Sequence, residues 1–215
     1  MQTRPRAKRP AAETRAEILD AAEACFASVG FSATRLDDIA EQVGVKRAAI
    51  FYYFKDKREL CAATLERLAA DLMVRLQHEF SQPASLPNKL EAGLVTLVDF
   101  LSERPAFAHL VLRLASEAPF ESHSDAGALA GPFLEILGDL LAEGERAGLL
   151  RPVMRDPLQL ASTMAGATIF RVAAMPIFAR SEDFGPPTSG QLEAHRSEVL
   201  SILRSLLGLG AGERA

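Results

Sequence analysis

Residues 36–57, which read LDDIAEQVGVKRAAIFYYFKDK, constrain the fold more than any other stretch of this chain. The apolar residues of its first half have helical spacing, and Gly44 follows them as a turn residue. A second short pattern predicts a helix from about Lys46 to Tyr53. Because two helices this short need a third helix behind them in water, the stretch predicts a helix-turn-helix.

The second short helix has two different faces. Ile50 and Phe54, four residues apart, turn inward. The opposite face is small or aromatic and begins with two cations: Lys46, Arg47, Ala48, Ala49, Phe51 and Tyr52. Such a face suits a helix inserted in the DNA major groove. A surface helical hairpin of a larger all-α protein would show the same spacing, so this alternative stays open.

Length and composition exclude several classes of protein. The chain has 215 residues, enough to bury a core and to form two units. Its longest uncharged stretch, residues 157–170, is too short to cross a bilayer, so no membrane span is expected. The basic N-terminus has no apolar segment behind it and therefore does not read as a secretory signal. We expect a cytoplasmic protein.

The ionisable residues give no support for an enzyme. Cys25 and Cys61 lack metal-ligand spacing and are expected to be packed thiols, and the four histidines are scattered. The sequence contains no glycine-rich phosphate loop, no nucleophile elbow and no H-E-x-x-H motif. We therefore expect no catalytic residues, no metal and no cofactor. A DNA-free adaptor that dimerises through its last helices is the remaining alternative.

The charge is uneven along the chain. The first 60 residues contain 11 Lys+Arg against 9 Asp+Glu, whereas the other 155 contain 13 against 19. A basic end on an acidic body is typical of a protein that presents one face to a polyanion.

Three segments are predicted: a flexible basic arm over 1–12, a helix-turn-helix domain over 13–57 and a ligand-binding and dimerisation domain over 58–215. In the second segment, a supporting helix from Glu13 to Val29 is expected to end at Gly30. Thr34 and Asp37 form the capping-box pattern T-x-x-D, so Thr34 is predicted to cap the next helix and to be able to dock on a phosphate.

The rest of the chain is predicted to be helical, which gives an all-α fold of about nine helices. The further helices are expected over Arg58–Phe80, Asn88–Glu103, Pro105–Ala118, Pro132–Ala147, Pro157–Ala174 and Gln191–Leu207, with a long loop over 119–131.

The last two helices, about 157–174 and 191–207, are candidates for a homodimer interface. Small residues recur at four-residue spacing in the first: Ala161 with Ala165, and Ser162 with Gly166. The second has a seam of Leu192, Val199, Leu203 and Leu206, with Leu200 and Leu207 beside it. Two copies would form a four-helix bundle around a two-fold axis. An ordinary core within one chain is the alternative.

The stretch from residue 18 to residue 60 resembles the TetR/AcrR family of bacterial transcription regulators. The matching positions are Ile18-Leu19, Ala21-Ala22, Phe26, Gly30-Phe31, Thr34, Asp38-Ile39-Ala40, Val43-Gly44-Val45, Ala49 to Lys55, Lys57 and Glu59-Leu60. The resemblance implies a DNA-binding domain of three helices, a fourth connecting helix, a ligand-binding body and dimerisation by the last two helices. It also implies a ligand-responsive repressor that binds a palindromic double-stranded DNA operator.

The family pattern implies seven DNA-contacting residues. Thr34, Tyr52, Tyr53 and Lys57 would contact phosphates, and Lys46, Arg47 and Ala49 would lie in the groove, where an Arg47–guanine contact is plausible. The sequence departs from the pattern at three positions: Lys46 replaces a capping serine, Ala48 a frequent glycine, and Phe51 a phosphate-binding tyrosine.

A pocket for a small, mainly hydrophobic effector is expected among the helices between residues 58 and 174. The candidate residues are Phe100, Phe107, His109, Leu110, Arg113, Leu114, Phe133, Leu137, Met164, Thr168 and Arg171.

Overall fold

The computed structural model describes residues 10–117, 124–175 and 188–209, with side chains for all of these except 114, 117 and 124–129. These residues form nine helices and no strand. The helices are α1 (Ala11–Ala33), α2 (Leu36–Val43), α3 (Arg47–Tyr53), α4 (Lys57–Ser81), α5 (Leu86–Glu103), α6 (Pro105–Glu117), α7 (Ser124–Arg146), α8 (Pro157–Ile169) and α9 (Ser189–Leu207). The predicted all-α class is confirmed. The charged residues of the predicted basic arm lie outside the described residues.

The chain divides into two compact units, Met1–Arg67 and Leu68–Ala215, and the division falls within α4. In unit 1, α1 packs on α2, and α2 packs on α3. Side chains from all three helices are fully buried there, with Ile18 and Phe26 from α1, Ile39 from α2 and Ile50 from α3. The third helix that the short pair requires is therefore α1.

The part of α4 that belongs to unit 1 is tied to α1 by ion pairs. Arg67 Nη1 lies 2.6 Å from Asp20 Oδ1, and Arg67 Nη2 lies 3.0 Å from Glu23 Oε2. The start of α4 is capped as well, because Asp56 Oδ1 accepts hydrogen bonds from the backbone N–H groups of Arg58 and Glu59. These two hydrogen bonds lower the pKa of Asp56, and the bond from the Glu59 N–H has the larger effect.

The end of α1 differs from the prediction. Gly30 adopts a φ of +75° and kinks α1, but the helix resumes and ends at Ala33. Thr34 does not cap α2: the residue before α2 is Arg35, which makes no side-chain capping bond, and the Thr34 hydroxyl instead donates to the Gly30 carbonyl over 2.7 Å. The capping-box prediction is therefore wrong, because the carbonyl exposed by the kink is a nearer partner than the start of α2.

Unit 2 has its core between α5, α7, α8 and α9. The buried members are Leu86, Leu90, Leu94, Val98, Leu137, Leu141, Leu150, Leu160, Met164, Val199, Leu203 and Leu207. At the edge of this core α9 is joined to α5 by charged pairs. Arg204 makes two bonds of 2.7 Å to the carboxylate of Glu91, and Arg196 Nε donates to Asp99 over 2.6 Å.

Helix α7 begins within the loop predicted over 119–131. It starts at Ser124 and contains Pro132 in its interior, so Pro132 is not its first residue. The loop prediction rests on Pro119, Gly127 and Gly131 with the small and polar residues around them, and it makes Pro132 the first residue of the next helix. An interior proline costs about 3 kcal/mol, but the segment between Gly127 and Gly131 is alanine and leucine, which have the highest helix propensities.

The predicted dimer seam on the last helix is also corrected. Val199, Leu203 and Leu207 are buried in the core of unit 2, and Leu192, Leu200 and Leu206 pack against it. The seam is therefore an intrachain core, as in the alternative that stayed open. The helix begins at Ser189 behind a capping box in which Thr188 and Gln191 bond reciprocally.

Helix α8 continues into a π-helical segment, Phe170–Ala174, which the sequence did not predict. No residue type marks such a segment, and π-turns within helices are frequent at functional sites. No helix among the described residues is long and apolar enough to cross a membrane.

Candidate nucleic-acid interface

The turn between α2 and α3 has the predicted geometry. Gly44 adopts the left-handed conformation, with φ 73° and ψ 34°, and its N–H closes α2 on the carbonyls of Ala40 and Glu41. Ile50 and Phe54 turn inward and are 1% and 2% exposed, respectively. Because these two side chains anchor α3, its other face is held outward.

The residues that face outward on α3 are those that helical spacing predicts from the sequence. Tyr52 is 80% exposed and Phe51 45% exposed, and Lys46, Arg47 and Ala48 are exposed as well, while Ala49 is half-buried. Tyr53 is half-buried and meets Tyr52 edge to face, with 5.0 Å between the ring centroids. The exposed face therefore combines cations, small side chains and an aromatic hydroxyl on one short helix.

Lys46 is the residue that precedes α3. Its backbone is extended, with φ −79° and ψ 147°, and its side chain makes no capping bond. A lysine has no acceptor for the first N–H groups of the helix. The first N–H groups of α3 therefore receive no side-chain cap from Lys46.

Arg47 contacts two neighbouring side chains. Its Nη1 donates to Asp37 Oδ2 over 3.1 Å, and its guanidinium carbon lies 5.5 Å from the centroid of the Phe51 ring. These three residues share a surface groove of about 410 Å³. The groove is lined by Thr34, Arg35, Leu36, Asp37, Arg47, Phe51, Asp56 and Lys57. Sequence reasoning missed the contact of Asp37 with Arg47, because the two residues lie on different helices ten positions apart.

Thr34 and Lys57 have structural partners within unit 1. Thr34 is 2% exposed, and its hydroxyl is directed at Gly30. Lys57 Nζ donates to the carbonyls of Thr34 and Ser32 over 2.6 and 3.2 Å and lies 4.3 Å from the centroid of the Phe31 ring. Both residues therefore support the junction of α1 with α2. Phosphate contacts by them remain a prediction from the family pattern.

The candidate effector residues are distributed over α5, α6, α7, α8 and the π-helical segment that follows α8. Phe100 is fully buried, packs edge to face on Phe107 at 5.6 Å, and lies below the guanidinium groups of Arg75 and Arg104. Leu137 and Met164 belong to the core of unit 2, and Phe133 packs against that core. Leu110 is buried, whereas the side chain of Leu114 lies outside those described.

The polar candidates lie on α6, α8 and the π-helical segment. Thr168 and His195 are buried, and Thr168 Oγ1 lies 3.0 Å from His195 Nε2. Arg171 belongs to the π-helical segment, and α6, with His109 and Arg113, packs against that segment. The Nδ1 atom of His109 is buried and makes no hydrogen bond within the described part of the chain. Sequence reasoning missed His195, which it had treated as a scattered histidine.

Burial gives unit 2 a pH dependence through His195. Desolvation lowers the pKa of this imidazole, the charge of Arg171 lowers it further, and Glu198, 3.9 Å away, opposes the shift. A histidine in the unfolded chain binds a proton near pH 6.5, whereas His195 in the folded protein stays neutral to a lower pH. Protonation therefore favours the unfolded chain, and the protein loses stability as the pH falls below about 6.5.

We therefore expect urea unfolding of the whole chain, followed by circular dichroism at 222 nm, to show lower stability at pH 5 than at pH 7. His195→Gln removes the titrating group and should reduce this difference. An unchanged pH dependence in His195→Gln would contradict the assignment.

Among the described residues, no group of three or more His, Cys, Asp and Glu side chains could hold a metal ion. Cys61 is buried and Cys25 half-buried, and burial, with the nearby charge of Asp38, raises the pKa of the Cys25 thiol.

Residues 18–64 match the family described as bacterial regulatory proteins, tetR family. Over 63 residues the chain is 49% identical to the HTH-type transcriptional regulator TtgR of Pseudomonas putida, a match that covers 29% of this chain and 30% of TtgR. It is 23% identical over 153 residues to the fatty acid metabolism regulator protein of Bacillus subtilis, covering 71% of this chain and 78% of that protein. The chain thus spans under a third of the length of TtgR.

The fold extends the similarity over nearly the whole chain. The crystal structure of FadR from Bacillus subtilis in complex with stearoyl-CoA superposes with a TM-score of 0.70 at 20% identity, covering 90% of this chain and 98% of that chain. The names of these relatives all describe regulators. The match to the tetR family lies on the helix-turn-helix, and the fold that the chain shares with FadR of Bacillus subtilis includes unit 2.

Proposed function

We propose that this protein is a sequence-specific DNA-binding transcription regulator, a repressor that binds a palindromic operator as a homodimer and is released by a small, mainly hydrophobic effector. The observation that supports it best is the outward face of α3. Its cations, small side chains and exposed Tyr52 project from a helix anchored by Ile50 and Phe54. In the complex α3 lies in the major groove, with Lys46, Arg47 and Ala49 toward the bases and Tyr52, Tyr53 and Lys57 toward phosphates.

A dimer explains how such a short helix can select an operator. Two copies of α3, one DNA turn or about 34–36 Å apart, would enter successive major grooves and read the two halves of a palindrome. We place the dimer contact on the outer face of α8 and of the π-helical segment that follows it, where Leu158, Ser162, Gly166 and Phe170 recur every four residues and are exposed. Ile202 of α9 is 43% exposed and supplies apolar surface on the second helix.

Gly166→Leu should separate the dimer without unfolding the protomer. A Cβ atom added at Gly166 meets nothing within 4 Å, and leucine favours a helix over glycine by almost 1 kcal/mol. In a dimer the added side chain would enter the close crossing of two α8 helices twice, once per copy. Overpacking of about 1–3 kcal/mol at each site predicts a dimer dissociation constant raised by roughly 100-fold.

Sedimentation equilibrium measures this change. Ala70→Leu, which places a leucine on the exposed face of α4, is the matched control and should remain dimeric. A dimeric Gly166→Leu protein would rule out the α8 contact.

Two observations support the effector proposal. Unit 2 has a mostly apolar core, and the fold of the chain resembles that of FadR from Bacillus subtilis, whose crystal structure is a complex with stearoyl-CoA. The Thr168–His195 pair supplies buried polar atoms beside a mostly apolar core. A ligand weakens operator binding only through its different affinities for the DNA-binding and released states, a coupling of typically 1–3 kcal/mol. A complete shift from 1:99 to 99:1 requires about 5.5 kcal/mol.

The experiment is a selection from random-sequence DNA by the purified protein, followed by titration of the enriched sequence with and without an effector probe. We expect a palindromic sequence whose half-sites lie one helical turn apart. Stearoyl-CoA is the first probe, because FadR of Bacillus subtilis was crystallised with it. Failure to enrich any sequence would contradict the function, whereas operator binding insensitive to stearoyl-CoA would contradict only an acyl-CoA effector.

A further inference from the structure

We propose that Asp37 is a positioning residue for Arg47, and that Asp37 and Phe51 together determine which base α3 selects. This inference rests on the proposed function, because it assigns a specificity role within the DNA-binding face. The three residues come from two helices and meet in one surface groove.

The two contacts restrict different motions of the Arg47 side chain. The 3.1 Å bond to Asp37 fixes the direction of the guanidinium, and the Phe51 ring, 5.5 Å from the guanidinium carbon, supports one of its faces. Arg47 remains 54% exposed. A guanidinium carries five N–H donors, and the bond to Asp37 uses one of them, so donors remain for a ligand outside the protein.

Guanine presents two acceptors, O6 and N7, that match two N–H groups of an arginine. A flexible arginine must lose its rotamer freedom when it makes this contact. Because Arg47 is already directed and supported, it loses less freedom on binding, and a mismatched base cannot use the same orientation. Lys46, next to it, is a point charge without a planar fork and gives little discrimination between bases.

Phe51 also has a defined part in this arrangement. The family pattern usually has a phosphate-binding tyrosine at this position, and the phenylalanine lacks the hydroxyl. Its ring instead lies below the guanidinium of the residue one helical turn earlier.

The negative charge of Asp37 should affect binding to random DNA and preference for the operator in opposite ways, and this pair of effects is the signature of the proposed role. A carboxylate in a groove that faces DNA repels every phosphate backbone, so it weakens binding to all sequences alike. Its benefit arises only where Arg47 meets its matching base. Removing the charge should therefore tighten binding to random DNA while reducing the preference for the operator.

Asp37→Asn tests this signature, and Asp38→Asn is the matched control. Asp38 is the next residue of α2, is exposed and carries the same charge, so its replacement removes one negative charge from the same helical turn. For each protein, dissociation constants are measured for the selected operator, for operators with each half-site base changed, and for random DNA, at one salt concentration.

We expect Asp37→Asn to lower the operator-to-random preference at least fivefold, with the loss concentrated at one base pair, whereas Asp38→Asn changes the preference less than twofold. Arg47→Lys should lose the same preference, and Asp37→Asn should then have no further effect on it. Equal changes in Asp37→Asn and Asp38→Asn would overturn the inference alone. A wild-type protein that selects no sequence would overturn the proposed function as well.

Discussion

Replacement of both Lys46 and Arg47 by glutamine is expected to weaken operator binding by roughly 100- to 1,000-fold. Both side chains are exposed at the N-terminal end of α3. A good bidentate arginine–base contact contributes about 1–3 kcal/mol of discrimination. The lost lysine charge weakens binding further, because a lysine that neutralises a phosphate releases a counterion. Each such contact changes the slope of log binding constant against log salt concentration by about 0.9. The variant should therefore bind more weakly and show a shallower salt dependence.

Fluorescence anisotropy with labelled operator measures both quantities. The control is Arg146→Gln with Arg151→Gln, which removes two exposed positive charges from unit 2. If net charge alone governed the affinity, the two double variants would be equally impaired. Such equality would contradict the assignment of α3 as the recognition helix.

Phe54→Ala is expected to destabilise unit 1 by about 3–5 kcal/mol, the usual cost of truncating a buried phenylalanine. Phe54 is 2% exposed, lies directly after α3 and has the guanidinium carbon of Arg15 5.2 Å from its ring centroid. Since whole domains are stable by only about 5–15 kcal/mol, this loss would release α3 from its support and abolish DNA binding.

The chain offers a selective probe for this measurement. It contains no tryptophan and two tyrosines, Tyr52 and Tyr53, both in α3. Tyrosine fluorescence in a urea titration therefore follows unit 1 alone. With a urea dependence of about 1–3 kcal/mol/M, the midpoint of Phe54→Ala should fall by roughly 2 M.

Phe51→Ala is the matched control on the same helix. Phe51 is largely exposed, so its loss should change the stability by less than about 0.5 kcal/mol. Equal midpoints for Phe54→Ala and Phe51→Ala would show that Phe54 does not anchor the recognition helix.

The fold was predictable where the periodicity is local and strong. The positions of α2, Gly44 and α3 agree with their prediction to within one residue, because apolar spacing and a glycine turn determine them. Helix α7 was misjudged because single glycines and a proline do not always end a helix. The seam of α9 was misassigned because an apolar stripe reveals that a face is buried but not whether the same chain or a partner covers it.

The candidate interface was predictable only in part. Helical spacing identified which residues of α3 face outward, and the family pattern named further contacts. Spacing could not show that the Thr34 hydroxyl closes a kinked helix, or that Lys57 bonds to the carbonyls of Ser32 and Thr34. It also could not show that Asp37 holds Arg47, since that contact depends on the angle between two helices.

Binding that resists competitor DNA is the direct test of whether α3 reads a DNA sequence. The purified protein is titrated against its own upstream intergenic DNA and against its selected sequence, at several salt concentrations and with excess poly-dI·dC. We expect a dimer to bind one of these DNAs tightly in the presence of competitor, with an affinity that falls linearly on a log–log plot against salt. Only weak binding to both DNAs, abolished by the competitor, would contradict it.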